Sequence, residues 1–174
     1  KDVWNSHGGS RVGKRLGRIW ETSHARNDVQ AYDMVFDLYE DPYVLNFIKD
    51  KANTWKMRYS KQTASQIRQN IEDGILREIF EACKTSQLNG NFGLHQMAVA
   101  NAAIALDHEK DTNEMVNWLY NSSVAGLGYN TGGDIERKLV ETVYRDGMGE
   151  ESPYYNEIGI SNLIDSAVLL ERYS

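Results

Sequence analysis

Two glycine-rich stretches of this 174-residue chain carry residue types that can do acid–base chemistry on an anionic substrate. The first, Asn89-Gly90-Asn91-Phe92-Gly93-Leu94-His95-Gln96, sets two amides and an imidazole at the entry to an alanine-rich apolar run. Free backbone N–H groups and the positive end of the dipole make a helix start favourable for a carboxylate, and the Asn91 amide adds a neutral donor. The plainer alternative is that Asn91 only caps the helix, as Asn commonly does. The second stretch, Asp146 to Asn156, sets Tyr154 and Tyr155 beside Asp146, Glu150 and Glu151. A paired-carboxylate hydrolase could use Glu150 or Glu151 with a distant acid, but neighbouring residues rarely converge on one bond, so that reading is weak. A tyrosine buried for packing is the commoner fate of such a phenol.

Charge is unevenly distributed. The net charge of −6 argues against bulk attraction to nucleic acid. Between Val3 and Trp20 there is no acid, however, and Arg11, Lys14, Arg15 and Arg18 follow the i, i+3, i+4, i+7 spacing of one helical face. That face either binds a polyanion or simply meets water. Trp118, Tyr120, Tyr129, Tyr144 and Tyr154 are aromatic platforms for sugar rings or, more plainly, core residues. His7, His24 and His108 have no ligand-like spacing, and Cys83 is the lone cysteine, so neither a metal site nor an intrachain disulfide is expected. No apolar run approaches the roughly 18 residues of a membrane span.

The elements that must position these groups are helical. Ile67, Ile71, Ile75, Ile79 and Cys83 recur at every fourth residue, widened by Leu76 and Phe80, behind a Thr63/Gln66 capping-box spacing. Further helices are expected over about 28–39, from Pro42 through Ile48, over Leu94 to Leu106, from Asp111 through Leu119, after Asp134 through Val143, and over Ile158 to Leu170. Hairpin-linked alternating strands are absent from the pattern, so the fold class is all-α, built from helical hairpins.

The order and separation of these motifs resemble the heparinase II/III and alginate lyase group of polysaccharide lyases. Gly-Asn-Phe-Gly at 90–93 looks like the family's Asn at the start of a toroid helix. Asp146-Gly147, Glu150, Ser152 and Tyr155 look like its Asp-Gly, Glu, Ser-x-x-Tyr loop, and Gln30-Ala31-Tyr32-Asp33 resembles its Ala-Tyr-Asp helix. The resemblance implies an incomplete (α/α) toroid spanning 1–174, without the family's C-terminal β-sandwich. It also implies β-elimination on a uronate-containing acidic polysaccharide, with Tyr155 as base and then acid and Asn91 neutralising the carboxylate. Where alginate lyases of the group often carry His after the Asn, this chain has Phe92, so His95, one turn on, is the candidate replacement.

A phenol is a poor base near neutrality unless a cation stands close, and Arg145 and His95 are candidates for that cation. The expected set is therefore Tyr155, Asn91 and His95 for catalysis and Arg11, Arg15, Glu150, Trp118 and Tyr154 for substrate binding. No metal or other cofactor, no nucleic acid and no membrane insertion are expected. The family's later His is not found here, so the segment by itself is expected to turn over little, within an exported parent that is periplasmic or secreted. Two rivals stand beside this reading: a glycoside hydrolase on the same type of toroid, and a non-catalytic helical module that binds carbohydrate or protein.

Overall fold

A computed structural model describes residues 16–57, 61–121, 132–133, 135–147, 149 and 152–173. Among these the chain is mostly helical. A two-residue strand β1 (Gly17–Arg18) leads into α1 (Trp20–Met34), followed by a 3₁₀ turn over Phe36–Glu40 and α2 (Pro42–Thr54). Next come α3 (Ala64–Ile71), a π turn over Glu72–Leu76, α4 (Arg77–Lys84) and strand β2 (Leu88–Asn89). The remainder is α5 (Leu94–Leu106), α6 (Glu109–Asn121), α7 (Ile135–Thr142) and α8 (Pro153–Tyr173). Among the described residues no helix is long and apolar enough to cross a membrane.

The helix α5 is the centre of the packing. Its sequence is apolar around its whole circumference, and a helix of that kind can only be stable when neighbours cover every side. Here α1, α4, α6 and α8 all pack against it, and Ala98, Val99, Ala100, Ala102 and Ala103 are fully buried. The alanines permit close approach. Polar ties cross the same contacts: Gln30 donates to Asn101 Oδ1 at 3.2 Å, Thr112 to the Ala103 carbonyl at 2.8 Å, and Ser166 to Met97 Sδ at 3.1 Å.

The every-fourth-residue stripe forms its helix, but not a regular one. Each step of four overshoots a 3.6-residue turn by roughly 40°, so five such positions would wind well away from one face. The wider π turn at Glu72–Leu76 takes back part of that drift, and Ile67, Leu76, Ile79, Phe80 and Cys83 are buried together. Thr63 caps α3 through Gln66 N at 3.2 Å as expected, while the Gln66 side chain accepts from Gln62 N rather than closing the box on Thr63. Asp41 caps α2, accepting from Tyr43 N and Val44 N, and Pro42 opens the helix.

Three boundaries differ from expectation. The helix placed at 28–39 begins eight residues earlier, at Trp20, and gives way to the 3₁₀ turn. The last helix starts at Pro153, not Ile158, since proline suits the first helical turn. Arg18, expected on a basic helical face, lies in β1, paired in parallel with β2 so that Gly17 is opposite Leu88 and Arg18 opposite Asn89. The rest of that basic face, Arg11 to Arg15, is outside the described residues.

Leu76 is completely buried at the π turn, so Leu76→Ala is predicted to cost about 2–5 kcal/mol. Met34, 83 % exposed, is the control, with Met34→Ala predicted within about 0.5 kcal/mol of the parent in urea melts. Equal effects at the two sites would contradict this core. Burial also raises the Cys83 thiol above its ordinary 9.0, and burial followed by the hydrogen bond to Glu72 raises the Tyr32 phenol above its ordinary 10.0. Above those values the unfolded chain releases protons that the folded chain retains, so stability falls as pH rises. Urea melts at pH 8 and pH 11 should show the loss, and a midpoint unchanged between them would refute it.

Candidate functional site

The two stretches singled out in the sequence meet at a backbone crossing. Gly93 has φ +94°, in the region glycine favours, and a Cβ there would lie 2.5 Å from the carbonyl oxygen of Gly159 in α8. A Cβ on Gly159 would in turn sit 3.0 Å from the Phe92 carbonyl oxygen. Tyr155 is one turn before Gly159 on the same face of α8, at the edge where the 90–93 loop crosses. On the other flank of the loop, a Cβ at Gly90 would contact Thr22 Cγ2 of α1 at 3.3 Å. The loop bearing Asn91 is thus held between α1 and α8, and β1 runs beside β2 into the same place.

Asn91 does not cap α5. The N-cap is Gly93, whose N–H donates to Gln96 Oε1 at 2.9 Å, while the Asn91 backbone carbonyl accepts from Leu94 N at 3.0 Å. This assignment leaves the Asn91 side chain partly exposed beside the crossing, with Phe92 packed against the core. Tyr155 is 47 % exposed and Tyr154 68 %, their rings edge to face at 6.0 Å, so neither is a packing tyrosine. Both stand open to a ligand.

His95 faces the interior, 1 % exposed, with Nε2 2.8 Å from the Gly132 carbonyl. Gln96 reaches the carbonyls of Gly132 and Gly133 from the same helical turn, at 3.3 and 3.4 Å. Gly133 lies so close to α6 that a Cβ would be 2.1 Å from the Trp118 carbonyl. The Trp118 ring is buried edge to face against Phe80 at 5.8 Å and near His95 at 6.4 Å. His95 and Trp118 are therefore buried, whereas Tyr154 and Tyr155 are exposed and Asn91 partly so. Arg11, Arg15 and Glu150 are outside the described residues, and Arg145 is exposed in the turn closed by Gly147 N to the Tyr144 carbonyl at 2.9 Å.

Residues that sequence motifs did not single out also line the crossing. Arg26 of α1 approaches Asn162 of α8, with Nη1 3.5 Å from Oδ1, and Asn162 Cβ is 3.1 Å from the place of a Cβ on Gly93. Neither belongs to a motif; only the approach of α1 and α8 brings them together. Trp20, exposed at the start of α1, is separated from β1 by Ile19 alone.

A separate polar groove of ≈ 310 Å³ at the π turn is lined by Ser65, Arg68, Gln69, Glu72, Asp73 and Arg77. Its cations are already matched. Arg68 pairs with Glu40 at 2.8 Å and stacks on Phe36, and Arg77 pairs with Asp111 at 2.7 Å and Asp73 at 2.8 Å. None of the sequence-selected residues lines it, so the groove joins helices and the crossing remains the candidate site. Among the described residues no group of three or more His, Cys, Asp or Glu side chains could hold a metal ion.

No protein-family model, curated protein or solved structure matches this chain.

The tight crossing yields a direct test of the geometry. Gly93→Ala combines left-handed backbone with a clash against backbone, which cannot move aside as a side chain can, so a loss of about 2–4 kcal/mol is predicted. Gly147 shares the backbone handedness, at φ +84°, but has open space, so Gly147→Ala should lose only about 1 kcal/mol. Thermal melts of the two variants compare them, and equal losses would contradict a close Gly93–Gly159 approach.

Proposed function

We propose that this chain is the substrate-cleft part of a polysaccharide lyase that cleaves uronate-containing acidic polysaccharide by β-elimination, its helices belonging to an (α/α) toroid. The observation that supports the reading is the crossing of the 90–93 loop with α8 through Gly93 and Gly159, which brings together the two chain segments that carry the Asn91 and Tyr155 motifs, far apart in sequence. Asn91, released from capping, and Tyr155, accessible to a polymer, are the groups that such chemistry needs there.

The proton on C5 of a uronate is weakly acidic because it sits beside a carboxylate anion. The Asn91 amide donates to that carboxylate and stabilises the charge that moves onto it as the proton leaves, an effect whose loss typically costs about 10²–10³ in rate. Tyr155, as phenolate, takes the C5 proton. The C5–H electron pair becomes the C4–C5 double bond while the C4–O bond breaks, and the Tyr155 phenol returns its proton to the departing oxygen. No water is consumed.

In this scheme His95 is a positioning residue, because its bond to Gly132 anchors the first turn of α5 from which the Asn91 loop departs. Tyr154 offers a ring face to the apolar side of a sugar. Arg11, Arg15 and Glu150 are proposed substrate-binding groups, and Trp118 supports the loop from the core. The parent protein is proposed to act outside the cytoplasm, in the periplasm or beyond, where polymeric substrates are found.

In the full-length parent, Tyr155→Phe should retain binding of an acidic polysaccharide yet slow formation of the unsaturated product by about 10²–10⁴, followed by ultraviolet absorbance of the new double bond. Tyr154→Phe should cost far less. Loss of product in the Tyr154 variant with the Tyr155 variant intact would show the register to be wrong, and full activity in both would end the reading.

A further inference from the structure

Three partly buried cations at other helix crossings hold carboxylates: Arg68 with Glu40, Arg77 with Asp111, and Lys84 with Glu81 and Glu114. Arg26 differs. No carboxylate pairs with it among the described residues, its Nε is buried without a hydrogen-bond partner, and its Nη1 donates to the neutral Asn162 Oδ1 at 3.5 Å. Withdrawing a guanidinium from water without a compensating anion is costly, and the planar fork is the side chain best matched to a carboxylate.

Its place is equally specific. Thr22 Cγ2, one turn before Arg26 on α1, lies 3.3 Å from the place of a Cβ on Gly90, and Asn162 Cβ, on the residue Arg26 approaches, 3.1 Å from the place of one on Gly93, so Arg26 borders the loop that carries Asn91. Asn162 donates its own amide N–H to the Ile158 carbonyl at 2.7 Å, which turns Oδ1 toward the guanidinium and steadies it. Tyr155 and Asn162 are seven residues apart on one face of α8, roughly 10 Å along the axis. Arg26, beside Asn162, thus stands about two turns of α8 from Tyr155, the group proposed to act on the reacting sugar.

We infer that Arg26 is a substrate-binding residue that takes the carboxylate of a uronate unit neighbouring the one cleaved, an inference resting on the proposed lyase reading for the polymer but not on turnover. It makes the cleft selective for consecutive acidic sugars over a single acid among neutral ones.

The test titrates the protein with glucuronate, and with glucose as the uncharged control, following amide chemical shifts. Glucuronate should bind and glucose should not. Arg26→Gln should weaken glucuronate binding about tenfold, whereas Tyr155→Phe should leave it within about twofold, since phenol loss removes no carboxylate contact. Far-UV circular dichroism checks that Arg26→Gln retains its helices. Should it unfold, Arg26→Lys decides the matter: it keeps the charge but loses the fork, and should bind severalfold more weakly. Undetectable binding of glucuronate, or equal affinity in folded Arg26 variants, would overturn the inference. Arg26-dependent binding in a parent that forms no unsaturated product would uphold it while sinking the elimination mechanism.

Discussion

Close backbone approach around one central helix is the constraint from which the remainder follows. An alanine-rich helix that is apolar on every side must be surrounded, and α1, α4, α6 and α8 surround α5. Small side chains let these neighbours come close, and the loops at the N-terminal end of α5 must then pass through narrow gaps. Glycine is the residue that fits: Gly93 against Gly159, and Gly133 against the α6 backbone. His95 and Gln96 satisfy the carbonyls that this packing buries, at Gly132 and Gly133, so the polar residues of the first turn hold the site from behind.

Much of the helical layout was legible because its signals are local. The span of α5, the Asp41-Pro42 start of α2 and the Thr63 cap of α3 could each be read from residue type and spacing. The start of α1 could not. It follows Ile19, at φ +56°, with no side-chain cap, and what fixes it is the pairing of β1 with β2, a contact across some seventy residues. The π turn was hidden for a similar reason, since a period of four reads as an ordinary helical stripe until the core selects which positions face inward.

The candidate site divides along the same line. Asn91 and Tyr155 were visible as motif residues, whereas the approach of their two segments, through Gly93 and Gly159, was not. His95 carried the right chemistry in the sequence, but its one-turn offset from the loop turns it toward Gly132 and the interior. Arg26 could not be picked out because the lack of a carboxylate partner among the described residues is a property of three-dimensional surroundings and not of residue order. The polar groove at the π turn makes the contrast, since there every arginine has its acid and the charges serve to join helices.

The proposed elimination consumes no water, so it differs from hydrolysis and from binding alone in the mass of what is released. The decisive measurement is mass spectrometry of the fragments produced from a defined uronate oligosaccharide by the full-length protein. Elimination predicts fragments whose masses sum to that of the starting oligosaccharide, one of them lighter by a water than its saturated counterpart. Fragments that together exceed the starting mass by one water, or an oligosaccharide that stays intact while bound, would contradict the account.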